Sequence, residues 1–198
     1  MLRRSSNPWI SITDLMASVV LVLLLLYVMA VIIPKMNQES LRQNMMETIS
    51  QSMREYEEEG LLKVHMESGI LEFTAITFES GSAEVSPATE KILRDLSEKL
   101  TDYMTHNPYM EILIEGHTDP RVISRVVNKG GYFADNVQLS TLRASNVRSS
   151  LLKFMGTAYA GRIGVAGYGE TRLKNKEEPL SPENRRIEIR ILWNGQAK

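Results

Sequence analysis

Residues 15–34 run for twenty positions without a charge, LMASVVLVLLLLYVMAVIIP. The hydrocarbon core of a bilayer takes about 20 apolar residues as one helix, so this block predicts a transmembrane span. The buried core helix of a soluble domain rarely runs this long. No small-x-small cleavage site follows, which argues against a removed signal peptide. A mean hydropathy of -0.18 for the whole chain hides the block, because most of the apolar excess sits within it.

The flanks set an orientation. Arg3 and Arg4 precede the span, whereas residues 35–60 carry Lys35, Arg42 and Arg54 against Glu39, Glu47, Glu55, Glu57, Glu58 and Glu59. The positive-inside rule puts the N-terminus, 1–7, in the cytoplasm and everything after Pro34 on the other side. Asn7 and Pro8 read as an N-cap and a first helical position, so the membrane helix is expected over 8–34, with Trp9 as an interfacial anchor. Asp14 lies five residues beyond Trp9, roughly 7–8 Å deeper at 1.5 Å per residue. A carboxylate at that depth faces a partner or a water-filled path and can exchange a proton there. The competing reading has the helix begin later, with Asp14 as its cap.

The other 164 positions divide by period. Over 35–60, Leu41, Met45, Ile49, Met53 and Tyr56 mark one face of an amphipathic helical linker, either a solvated stalk or a docking segment. From 61 to 198 the pattern is α/β. Two short strands flank the turn at 67–69, and a helix over 88–103 is entered through Ser86 and Pro87. A strand follows at 110–116, then a helix over 139–154 with Ser140 near its N-cap, and strands at 162–166 and 186–193. These elements imply a mixed sheet with helices on one side. With 23 Lys+Arg against 24 Asp+Glu, the chain is not a basic nucleic-acid binder. The absence of Cys excludes disulfides, thiol nucleophiles and Cys-ligated metals, and no cofactor motif is present. Ser140 has no His/Asp partnership, so no enzyme is indicated. Glu115, His117 and Asp119 alternate along one strand, but ligands so close on a strand splay apart, and no metal site is expected.

Five segments carry a family resemblance: ITFESGSAEV (76–85), IEGHTD (114–119), NVQLSTLRASNV (136–147), RIGVAGYGE (162–170) and NRRIEIRI (184–191). In this order and spacing they resemble the OmpA-like peptidoglycan-binding domain over roughly 70–193. A span beginning W-x-x-x-x-D-L-M at 9–16, followed by this domain, looks like the MotB family of stator subunits in ion-driven motors.

The resemblance implies recognition of diaminopimelate in the peptidoglycan stem peptide, which offers an ammonium and a carboxylate on one small skeleton. Asp119 would take the ammonium and Arg143 the carboxylate, in charge-assisted bonds. Thr118, Asn136 and Leu139 match other positions lining that site, Gly81 falls at a backbone contact, and Arg185 is a weaker candidate. Asp119 and Arg143 stand 24 residues apart, wider than in outer-membrane members, and the long loop at 120–138 is more like the MotB branch. The implied protein is a homodimer in the inner membrane with a periplasmic domain. A separate multi-span, MotA-like subunit would surround its spans, and Asp14 would relay the ion, with a lone carboxylate leaning towards H⁺. The compact chain and short linker resemble the B subunit of the Zorya anti-phage defence system. A flagellar-type stator and a passive, non-conducting anchor to peptidoglycan are the alternatives.

Overall fold

The computed structural model describes residues 8–74, 82–121 and 135–193. Its contacts divide the chain into Met1–Asn44 and Met45–Lys198.

The first unit is helical. α1 (Pro8–Tyr27) starts at the proline, whose fixed φ suits a first helical position, and passes through a π-helical turn (Val28–Ile32) into α2 (Ile33–Ser52). Leu21, Val22, Leu23, Leu24, Leu25 and Leu26 are all exposed, so the apolar surface runs right round the helix. Such a surface is stable in hydrocarbon rather than in water. Hydroxyls on it are satisfied within the helix: Thr13 Oγ1 donates to the Trp9 carbonyl at 2.6 Å, and Ser18 Oγ to the Leu15 carbonyl at 2.8 Å. Because α1 begins at Pro8, Asp14 lies in its interior, and the reading of Asp14 as a helix cap is removed.

The second unit is a five-stranded sheet in the order β1-β2-β5-β3-β4. Its strands are β1 (Leu62–His65), β2 (Ile70–Phe73), β3 (Met110–His117), β4 (Ile163–Gly167) and β5 (Arg186–Trp193). Every neighbouring pair is antiparallel except β3 and β4, which are parallel and are joined through a helix. Leu71, Phe73, Ile112, Ile114, Ile187 and Ile189 alternate onto one face and are buried there with residues of α4 (Pro87–His106) and α5 (Asn136–Met155). Ser86 caps α4 by accepting from the Thr89 amide at 3.2 Å, with Pro87 at the first position. At the far end of α4 the Arg162 guanidinium donates to the carbonyls of Met104 and Asn107, groups a helix terminus leaves open, and to that of Met110 at the start of β3.

The folded unit is longer than the expected 61–198. Met45, Met46, Ile49 and Met53 are buried in the same core as the sheet, and Tyr56 on α3 (Arg54–Glu58) donates to Asp95 on α4 at 2.5 Å. The apolar face seen over 41–56 therefore belongs from Met45 onward to the domain, not to a free stalk. α5 also begins earlier than expected: Asp135 is its N-cap, accepting from the Gln138 amide at 2.8 Å. Ser140 is fully buried one turn in, where it accepts from the Gly169 amide.

Two glycines let α5 lie against the strand ends. A Cβ on Gly116 would stand 2.1 Å from the Ser140 carbonyl oxygen, and one on Gly167 2.6 Å from the Thr141 amide nitrogen. Both obstacles include backbone, which cannot swing aside.

The sheet's other face is charged. Glu72, Glu188 and Glu115 are register partners across β2, β5 and β3, so three carboxylates sit side by side. Lys174 holds Glu72 at 2.6 Å, Arg186 holds Glu188 at 2.7 Å and Arg190 holds Glu115 at 2.7 Å. His117, beside Arg186 in the register, is buried and stacks on Tyr168. Burial pushes its pKa down to about 4, Arg186 adds to the shift and Glu188 opposes it.

Gly116→Ala forces α5 off the sheet and should lower stability by about 2–3 kcal/mol, read as a shift in thermal unfolding of the full chain in detergent. The same assay gives a pH profile. The unfolded chain protonates His117 near 6.5 and the folded one only near 4, so this contribution is complete above pH 6.5 and disappears as pH falls towards 4. Its size is about 2–3 kcal/mol, and His117→Gln should flatten that part of the profile. Glu72 adds a lower step. Burial alone would raise its pKa, but Lys174 and His65 together bring it below the ordinary 4.5, so its contribution is lost only beneath that value.

Candidate functional site

Beyond His117 the chain leaves β3 with its direction still fixed. The Tyr168 amide donates to the Gly116 carbonyl and the Thr118 amide to the Gly169 carbonyl, both at 2.9 Å. Asp119 follows, and only 4% of it is exposed. A carboxylate so far from water needs compensation, and two residues supply it. Arg185 Nη1 donates to Oδ2 at 2.6 Å, and the Arg121 amide donates to Oδ1 at 3.2 Å. The Arg121 side chain adds an ion pair at 3.6 Å.

α5 forms the opposite wall. Asn136, its first residue, donates from Nδ2 to the Arg121 carbonyl at 3.2 Å and the Asp119 carbonyl at 3.4 Å. Leu139 is buried with Ala83, and the half-buried Leu142 packs against them. Arg143, one turn further, is 4% exposed and donates from Nε to the Ser82 carbonyl at 2.9 Å. Burial pushes the Arg143 pKa down to about 10, Arg185 pushes the same way, and Asp119 opposes them. Asp119, Arg143 and Arg185 therefore act on one another electrostatically, although they arise from three separate parts of the chain. Thr118 Oγ1 is buried with no hydrogen-bond partner among the described residues. A buried hydroxyl in that state is a free donor and acceptor for an incoming polar group.

Arg185 reaches Asp119 because of its neighbour. Asn184 is fully buried; its Oδ1 accepts from the amides of Lys174 and Asn175, and its Nδ2 donates to the carbonyls of Asn175 and Pro179. One side chain thus winds 174–184 around itself and delivers Arg185 at the end. Arg121 also donates to the Leu180 carbonyl at 3.4 Å, tying the same loop to the acid.

The seven residues expected to form the site fare differently. Thr118, Asp119, Asn136, Leu139 and Arg143 are gathered at one end of β3 and α5. Arg185, expected as the weaker member, makes the shortest contact to Asp119. Gly81 lies outside the described residues. Arg121 had no sequence signal, since it sits in a loop without a period, and Asn184 was marked only as the first residue of the 184–191 motif, with no role assigned.

Glu115 and His117 do not converge with Asp119. They meet Glu188 instead, with ligand-type atoms within 4.8 Å of one another. Arg190 and Arg186 already hold those carboxylates, and Arg172 lies 4.0 Å from Glu115. Three guanidiniums facing two carboxylates repel a divalent cation, so the group is an ion-pair lattice.

The OmpA family profile matches residues 77–186. Motility protein B of Bacillus subtilis is 32% identical over 126 residues, which span 63% of this chain but 44% of that protein. Among solved structures, a MotB-like protein from Desulfovibrio vulgaris aligns with TM-score 0.58 at 22% identity, covering 79% of this chain and 96% of the other. The cell wall anchor of the T6SS from Pseudomonas aeruginosa aligns with TM-score 0.56 at 22% identity over 73% of this chain and 96% of the other. The periplasmic domain of Helicobacter pylori MotB (residues 78–256) gives 0.53 at 16% identity, over 68% and 82%. The last three share the fold, and the first is related in sequence. A profile match over more than half of the residues, on a sheet and helix pair of the same architecture, places the chain in the OmpA family.

Proposed function

We propose that the chain is a MotB-type stator subunit, held in the inner membrane by α1 and anchored to peptidoglycan by its OmpA-family domain. The observation that carries this reading is the buried Asp119 beside the buried Arg143. An acid and a guanidinium close enough to act on one another electrostatically suit a ligand with an ammonium and a carboxylate on one skeleton, as on diaminopimelate. Thr118 supplies an unused hydroxyl, Asn136 fixes the backbone of 119–121, and Leu139 lines the wall; Gly81 is assigned by resemblance.

The membrane helix adds the second half. Asp14 sits inside α1 on a surface that carries no other charge, where a carboxylate is costly to keep unless it carries or relays an ion. In this reading two copies place their spans within a multi-span, MotA-like channel subunit, and Asp14 takes up and releases a proton. The domain outside the cytoplasm then holds the wall so that the motion has a fixed frame. The short segment between span and folded unit suits a motor of the Zorya anti-phage type, with a flagellar stator as the other member of the class. A gene for the channel subunit beside helicase or nuclease genes, rather than flagellar genes, decides between them.

A passive anchor is the second reading, favoured by the likeness to a cell wall anchor. It differs only in the span.

Asp119→Ala and Arg143→Ala should each weaken pull-down by purified peptidoglycan about 30-fold or more, since each removes one of the two charges that the ligand's ammonium and carboxylate would meet. Unchanged binding in both variants removes the wall-site assignment. Asp14→Asn should abolish motor or defence activity while membrane insertion and wall binding persist. Full activity in that variant leaves the passive anchor as the function.

A further inference from the structure

Asp119 is already occupied. Its Oδ2 accepts from Arg185 at 2.6 Å, and Arg185 itself is only 27% exposed at the side chain. The position an ammonium would take on this carboxylate is therefore held by a guanidinium from the same chain. Building on the wall-binding reading, we propose that Arg185 is a specificity-determining residue. It is an internal competitor that yields Asp119 only to an amine bringing its own carboxylate.

The argument is one of charge. In the free protein Arg185 compensates an acid that is 4% exposed. A ligand offering only an ammonium replaces one cation on Asp119 with another and leaves the Arg185 guanidinium beside Arg143 with no acid. These two guanidiniums already act against each other: burial is the main cause of the lowered Arg143 pKa, and Arg185 adds to it. A ligand whose ammonium and carboxylate share one carbon behaves differently. Its ammonium takes Asp119, and its carboxylate lies between Arg143 and the displaced Arg185, giving the displaced guanidinium a counter-charge. Discrimination of this kind works by making the wrong ligand strand a charge.

The anchoring of Arg185 suits this role. Asn184, fully buried and saturated with hydrogen bonds to its own loop, fixes the backbone at the preceding position. The side chain can therefore turn from Asp119 to a nearby carboxylate without moving the loop. Arg121 stays with Asp119 through its backbone amide in either state.

The test compares two stem tripeptides that differ by one carboxylate, L-Ala-γ-D-Glu-meso-diaminopimelate and L-Ala-γ-D-Glu-L-Lys, titrated calorimetrically into the full chain in detergent. The wild-type protein should prefer the diaminopimelate form by about 30-fold or more. In Arg185→Gln the lysine form should tighten by about 10-fold while the diaminopimelate form changes by about 3-fold or less, so the preference collapses. Equal weakening of both, or an unchanged ratio, overturns the proposal and makes Arg185 an ordinary contact or a spectator. If Arg185→Gln does not fold, Arg185→Lys is read instead. Its ammonium keeps Asp119 but cannot fork a carboxylate, so only the diaminopimelate form should weaken, by about 5-fold. Loss in both or in neither overturns the proposal. Wild-type protein that binds neither tripeptide, or diaminopimelate binding that survives Asp119→Asn, overturns the wall-site reading itself, and the role of Arg185 with it.

Discussion

A buried carboxylate at the end of a central strand organises the second unit. β3 is hydrogen-bonded on both sides, to β5 and β4, and cannot shift without breaking two ladders. Asp119 leaves that strand into a place where water does not reach, so its charge must be met by the protein. Arg185 and Arg121 meet it, and each brings a loop along: Arg185 the 174–184 segment wound on Asn184, Arg121 the start of the long connection to α5. The opposite wall follows from the two glycines. Without the space at Gly116 and Gly167, α5 could not approach closely enough to set Leu139 and Arg143 beside the acid. The site thus depends on backbone proximity first and on charge second, and both converge on the same strand end.

The two faces of the sheet solve opposite problems. On one, isoleucines of β3 and β5 alternate inward and join the helices in a dry core. On the other, Glu72, Glu188 and Glu115 line up across neighbouring strands, an arrangement that like charges resist. It persists because Lys174, Arg186 and Arg190 interleave with the carboxylates, and Arg172 lies over the Tyr168 ring at 3.5 Å. Lys174 and Arg172 belong to the same loop that delivers Arg185. The lattice therefore fastens the rim of the site as well as the sheet. Its neutral member, His117, is the one whose protonation would add a charge where guanidiniums already predominate.

Much of this was legible from spacing alone. Period-two alternation located β3 and β5, and period 3.6 with Ser86-Pro87 located α4, because these elements are half-buried and their apolar residues recur on one side. Asp14 was visible because a single charge in an apolar run cannot be overlooked. What could not be read was ownership and distance. The face of Met45, Ile49, Met53 and Tyr56 announced burial but not against what, since an amphipathic period is the same whether the partner is a sheet, a membrane or a second copy. Arg185 and Asp119 are 66 positions apart; their two motifs put them in one expected site, but neither motif encodes the direct contact between them. Asn184 opens the 184–191 motif, but its role could not be read there, because its work is done by hydrogen bonds to backbone, which leave no pattern. The π-helical turn at Val28–Ile32 has no Pro or Gly to mark it.

The position of the acid at the end of β3 matters for a protein that bears load, as the proposed anchor must. Force on a ligand held by Asp119 enters β3 along its length, and there it is shared by the antiparallel ladder with β5 and the parallel ladder with β4. Separating such a strand lengthwise requires many hydrogen bonds to fail together, whereas peeling an edge strand breaks them one at a time. β1 and β2, shorter and further from the site, are spared that load. Arg143 delivers its share differently, through α5 and the α5–sheet contact at Gly116 and Gly167. A ligand bridging Asp119 and Arg143 therefore pulls on a strand and a helix that are locked to each other by direct backbone approach. The same close packing that forms the site resists its being pulled apart.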